Sequence, residues 1–175
     1  YKGCYKDFLK HEPYNLSVKE IIERSSNVGT IIATKDLKIN DLEEFLSKFG
    51  FSKKTGIELS GESKGSFDPN KTCTTCLSSL SIGYSINVTQ MQMVKAYSII
   101  ANGGKNVDLT LIKAPYSNYS PNQVIDSDSS ERLKNLLINV VEGENGTGRS
   151  IFMENYTIGG KTGTSRTPVS YTHLT

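Results

Sequence analysis

The chain has 175 residues, 36% of them apolar, and a formal charge of +2, which suits one domain or the larger part of one. So small a charge, with no long basic block, argues against nucleic acid or an anionic membrane surface as a partner. No stretch approaches the ~20 apolar residues that span a bilayer, and no signal peptide opens the chain, so an exported protein would carry its targeting segment upstream of Tyr1.

Tyr1 to Asn15 is polar and aromatic, broken by Pro13, and reads as loop. Ser17-Val18-Lys19-Glu20 is a capping box. Its serine and glutamate side chains satisfy the first free amides of a helix running through Ile21 and Ile22 to Ser25-Ser26-Asn27. A second short helix is expected through Val28 to Thr34. Asn40-Asp41-Leu42-Glu43 repeats the capping signal. Leu42, Phe45, Leu46 and Phe49 then share one helical face as a buried stripe, stopped by Gly50.

Residues 51 to 87, rich in glycine and holding Pro69, read as an irregular exposed connection. Thr89 to Gln92 caps another helix, with Met93, Ala96, Tyr97 and Ile100 inward and its end at Asn102-Gly103-Gly104. A strand or two is expected between Val107 and Tyr119. Asp128 to Glu131 caps a further helix that presents Leu133, Leu136, Leu137 and Val140 on one face. Gly143 to Gly148 is a turn, and Tyr156-Thr157-Ile158 leads into a strand carrying Lys161-Thr162-Gly163. Helices in the middle and strands at the end predict an α+β fold, helices packed on an antiparallel sheet, rather than alternating βαβ units.

Three cysteines are present, Cys4 and the pair Cys73 and Cys76. A Cys-x-x-Cys can be a redox pair or half a zinc site, but zinc wants four ligands, and His11 and His173 lack ligand spacing. An incidental or loop-closing pair is the favoured reading; no metal and no cofactor are implied. Asn-x-Ser/Thr triplets such as Asn15-Leu16-Ser17 and Asn145-Gly146-Thr147 reflect an Asn- and Ser-rich composition. Met91 and Met93 read as core or helix surface.

Ser25-x-Asn27 followed by Lys161-Thr162-Gly163 matches two of the three boxes of serine acyl-transfer enzymes that handle penicillin-like substrates. The third, a Ser-x-x-Lys with the nucleophile, is missing: no lysine here has a serine three residues before it. Four ordered stretches carry a wider likeness. They are Ser25 to Thr30; Phe49-Gly50-Phe51 with Thr55 to Glu62 and Gly65; Leu80 to Tyr84 with Val88 to Met93, Ala96-Tyr97 and Ala101 to Gly104; and Val140-Val141-Glu142, Gly146-Thr147-Gly148 and Gly159 to Thr164. Together, over about residues 17 to 166, they resemble the C-terminal half of the transpeptidase domain of class B penicillin-binding proteins, most nearly the septal, cell-division type. Ser85 stands where the family usually has glycine, and Gln90 where it often has proline.

The resemblance implies a partial transpeptidase domain over residues 1–167, lacking the Ser-x-x-Lys region and the final strands. Pro168 to Thr175 looks like translated adapter sequence, a non-native tail. The implied activity is a peptidoglycan D,D-transpeptidase acting on stem peptides ending in D-Ala-D-Ala and acylated by β-lactams, alongside other cell-wall or division proteins. It would sit on the outer face of the cytoplasmic membrane, held by an anchor not in this chain. The alternative is a non-catalytic sensor or scaffold of the same fold. The fragment alone should be inactive, since nothing in it can serve as nucleophile.

Residue by residue, the resemblance makes Ser25 the relay of a proton toward the leaving amine. Read alone, Ser25 would merely end its helix; the distant Lys161 box reverses that. Asn27 would bond the substrate's peptide group and hold the neighbouring lysine, with Ser26 a spacer. Lys161 would supply positive potential beside the substrate's terminal carboxylate, and Thr162 and Thr164 hydroxyls to the same group. Gly163 would let substrate backbone lie close, and the Thr164 amide would form half of an oxyanion hole. Gly146-Thr147-Gly148 reads as a structural turn.

Overall fold

The computed structural model describes residues 5–7, 15–67, 76–113 and 121–163. Cys4, His11, Pro13, Cys73, Thr164, the segment 114–120 and the tail 168–175 lie outside them, as does most of the expected N-terminal loop.

Six helices and one small sheet make up the described chain. They are α1 (Val18–Glu23), α2 (Asn27–Thr34), α3 (Ile39–Lys48), β1 (Ser66–Phe67), α4 (Cys76–Ser81), β2 (Ile86–Asn87), α5 (Gln90–Ala101) and α6 (Ser127–Glu142), with a 3-10 turn at Arg149–Ile151. β1 and β2 pair antiparallel, Ser66 opposite Asn87 and Phe67 opposite Ile86. The fold is α+β, helices packed with a small antiparallel sheet. β1, β2 and α4 all fall in the stretch expected to be irregular, which is a correction. Two-residue strands and a six-residue helix are too short to carry a periodicity.

The capping boxes at Ser17 and Thr89 form as the spacing predicts, each side chain accepting from the amide three residues on. Two other caps shift. α3 starts after Lys38, without a side-chain cap bond, so Asn40 already lies inside the helix. α6 is capped by Asp126, whose carboxylate accepts from Ser129 N at 2.8 Å, two residues before the expected Asp128. Two aspartates compete there. The earlier start leaves Ser130 fully buried with its hydroxyl donating to Ile100 O at 2.6 Å, stitching α6 to α5.

The core gathers Phe49, Ala96 and Ile99, backed by Phe51, Ile100, Val124 and Ile125. Only Phe49 of the expected α3 stripe is fully buried. Phe45 is 47% exposed, its ring tilted against that of Phe49 at 5.1 Å. On α5 the buried line is Gln92, Ala96 and Ile99 rather than Met93, Ala96, Tyr97 and Ile100. The reason is polar. Gln92 donates both amide protons, to Lys53 O at 2.8 Å and Lys64 O at 2.9 Å, and accepts from Thr89 N. A buried amide with every group satisfied can turn a helix face by one residue. On α6 the inward side is Ser130, Leu137, Val140 and Val141.

α6 is the spine that positions the site, packing against both α1 and α5. Residues 159–163 run along it, with Gly160 N donating to Leu137 O at 3.1 Å. The expected Lys161 strand is not formed among the described residues, because a strand needs a neighbouring strand to complete its ladder. Residues 107–113 likewise form none; an isolated bridge joins Lys105 to Gln123.

Candidate functional site

The site begins where α1 ends. Arg24 closes the helix, and Ser25 takes φ +55°, the left-handed position that most often falls to glycine. Ser25 N donates to Ile22 O at 3.2 Å and Ser26 N to Ile21 O at 2.9 Å. That pair of bonds is a Schellman motif, and it reverses the chain so that the Ser25 side chain leaves the helix end. An L residue held left-handed costs roughly 1–3 kcal/mol, a strain typical of functional sites.

Ser26, expected as a spacer, is the buried anchor of this turn. Its Oγ caps α2 by accepting from Gly29 N at 2.9 Å and donates to Asp7 Oδ2 at 2.8 Å. Asp7 Oδ1 accepts from Val28 N at 2.9 Å, so a carboxylate also closes the positive end of α2. Asn27 opens α2 and donates from Nδ2 to Lys6 O at 3.4 Å. No local pattern could have singled out Asp7, about twenty residues away in a stretch read as loop.

Lys161 arrives from the far end of the sequence. Its ammonium donates to Ser25 Oγ at 2.5 Å, to Thr162 O at 3.1 Å and to Thr162 Oγ1 at 3.4 Å. Three ammonium protons meet three oxygens. Desolvation draws the Lys161 pKa below the ordinary lysine value, since a partly enclosed ammonium loses hydration. Thr162 Oγ1 lies 2.8 Å from Thr147 Oγ1, which donates to Glu23 O at 3.3 Å. The Thr147 amide donates to the same carbonyl at 3.2 Å. Buried Glu23 also accepts from Asn145 N through Oε1 at 3.1 Å. Gly146-Thr147-Gly148, read as a plain turn, thus joins α1 to the lysine segment.

Ser25, Lys161 and Thr162 therefore form one hydrogen-bonded cluster, with Thr147 as an unforeseen member. Asn27 lies in the same turn as Ser25 but does not bond Lys161, and Gly163 is exposed with open space where a Cβ would stand. Thr164 lies outside the described residues. An open cleft of about 430 Å³, lined by Ser17, Glu20, Glu23, Asn139 and Glu144 among others, does not include the cluster. Among the described residues no group of three or more His, Cys, Asp or Glu could hold a metal, and no helix is long and apolar enough to cross a membrane.

Comparison with known proteins places the chain in a family. The profile of the penicillin binding protein transpeptidase domain matches residues 1–172. The probable peptidoglycan D,D-transpeptidase FtsI of Caulobacter vibrioides is 30% identical over 151 residues, 85% of this chain and 26% of that protein. Stage V sporulation protein D of Bacillus subtilis is 33% identical over 159 residues, 84% of this chain and 24% of the relative. The chain thus spans about a quarter of the length of these curated relatives. Among solved structures, penicillin binding protein 3 of Mycobacterium tuberculosis in complex with aztreonam superposes with a TM-score of 0.82 at 29% identity, covering 93% of this chain and 40% of that one. With two sequence boxes in order, their side chains in contact and the profile matched almost end to end, the chain belongs to the penicillin binding protein transpeptidase domain family.

Proposed function

We propose that the protein carrying this chain is a serine-type peptidoglycan D,D-transpeptidase, and that Ser25, Asn27 and Lys161 serve its acyl transfer. The observation that carries this reading is the bond from the Lys161 ammonium to Ser25 Oγ. An ammonium can only donate, so Ser25 accepts from it and keeps its own proton to give. A serine outside these residues, in a Ser-x-x-Lys box, attacks the carbonyl of the penultimate D-Ala. The peptide C–N bond breaks, the departing D-Ala amine takes the Ser25 proton, and an ester to the nucleophile remains. The attacking serine's own proton passes through the lysine of its box to make good the one Ser25 gave. An amine on a neighbouring stem peptide then attacks that ester, releasing the serine and forming the cross-link.

Lys161 contributes chiefly as charge. Its three protons face protein oxygens, so the substrate's terminal carboxylate is drawn by positive potential and bonded by the hydroxyls of Thr162 and Thr164. Asn27 binds the substrate's peptide group, Gly163 leaves room for its backbone, and the Thr164 amide helps hold the oxyanion. β-Lactams react with the same serine, and the ampicillin and aztreonam complexes of the Mycobacterium tuberculosis structures support this. The domain acts on the outer face of the cytoplasmic membrane, alongside other cell-wall synthesis proteins.

The test is to incubate the full-length protein with a fluorescent penicillin. Covalent labelling is expected, lost when the upstream serine is changed to alanine and reduced at least about tenfold by Lys161→Met. A well-folded protein that stays unlabelled would instead be a non-catalytic scaffold.

A further inference from the structure

Thr147 and Thr162 share one proton between their hydroxyls, and the neighbours decide whose it is. Thr147 Oγ1 donates to Glu23 O at 3.3 Å, which commits its single proton. The proton in the 2.8 Å contact between the two hydroxyls is then that of Thr162. On its other side Thr162 Oγ1 faces the Lys161 ammonium at 3.4 Å, which can only donate. One donor direction runs through the cluster, from Lys161 to Thr162 to Thr147 to the Glu23 carbonyl.

A carboxylate only accepts, so Thr162 cannot bind one while its proton points at Thr147. Turning that proton outward leaves Thr162 Oγ1 able to accept from Thr147, whose hydroxyl swings away from Glu23. The Glu23 carbonyl is not abandoned by the swing, because it still accepts from the Thr147 amide at 3.2 Å. The exchange gives up one long bond and keeps every oxygen served. We propose that Thr147 is a positioning residue whose two-position hydroxyl sets Thr162 for the substrate's terminal carboxylate. This rests on the acyl-transfer reading above.

The test measures fluorescent-penicillin acylation of the full-length protein over a range of probe concentrations. Thr147→Val keeps shape and removes the hydroxyl; Thr147→Ser restores it. The Val variant should raise the half-saturating concentration about tenfold, as for one lost bond near a charged group, with the limiting rate within about twofold. The Ser variant should recover wild-type behaviour within about twofold. In a Thr162→Val background the Thr147→Val effect should vanish, since the partner hydroxyl is gone. Full additivity, an unchanged half-saturating concentration, or failure of Ser to rescue would overturn the proposal. Should the Val variant not melt cooperatively, Thr147→Ala replaces it; if neither folds, Thr147 is structural and the proposal fails. An unlabelled wild type would sink the acyl-transfer reading itself, whereas a labelled wild type indifferent to Thr147 would sink this inference alone.

Discussion

Ser25 carries two conflicting demands. Its φ of +55° crowds an L side chain against its own backbone, yet its hydroxyl is the partner of the Lys161 ammonium. Ser25→Gly should therefore raise stability by about 0.5–1 kcal/mol, the relief of left-handed strain less the added freedom of an unfolded glycine. The same change should abolish most penicillin labelling. A thermal melt and a labelling gel on one preparation read both, and a lower melting temperature would contradict the strain argument. Lys161 adds a pH signature. Its lowered pKa means that the fold holds this proton less tightly than the unfolded chain does, so its charging opposes folding at neutral pH and is relieved as pH rises. Deprotonation also removes the charge offered to a carboxylate. Labelling should fall on the alkaline side with a midpoint below the ordinary value of 10.5, and Lys161→Arg should remove that limb because guanidinium stays charged. A limb unchanged in the Arg variant would assign it to another group.

At the scale of elements, the joint between α1 and the turn after α6 holds the cluster in place. Gly143 ends α6 with φ −68°, an angle any residue adopts, so its conformation does not call for glycine. Space does. A Cβ there would stand 2.3 Å from Glu23 Oε1 and 2.5 Å from Asn139 O. Gly143→Ala should cost about 1–3 kcal/mol in denaturant unfolding of the full-length protein, as overpacking commonly does. A neutral result would mean that both the Glu23 side chain and the backbone at the end of α6 yield. The helices themselves were legible wherever a polar cap preceded a periodic run, as at Ser17 and Thr89, because those signals are local. Their burial was less so. Gln92 displaced the expected apolar face of α5 through bonds to Lys53 and Lys64, partners that helical spacing cannot reveal.

Across the whole molecule, residue order alone pointed to the family, the α+β class, the main helices and Ser25, Asn27 and Lys161 as candidates. Each of these rests on residue order or on contacts within one helical turn, which a linear reading can follow. Tertiary structure decided the rest. It brought Lys161 to Ser25 across 136 residues, made Ser26 a buried anchor through Asp7 and drew Thr147 into the cluster through Glu23 and Thr162. It also laid residues 159–163 along α6 where a paired strand was expected. A hydrogen bond needs its partners within about 3 Å in space, whatever their separation along the chain. Hydroxyls and carbonyls occur at almost every position, so which of them meet is settled only once the helices have packed.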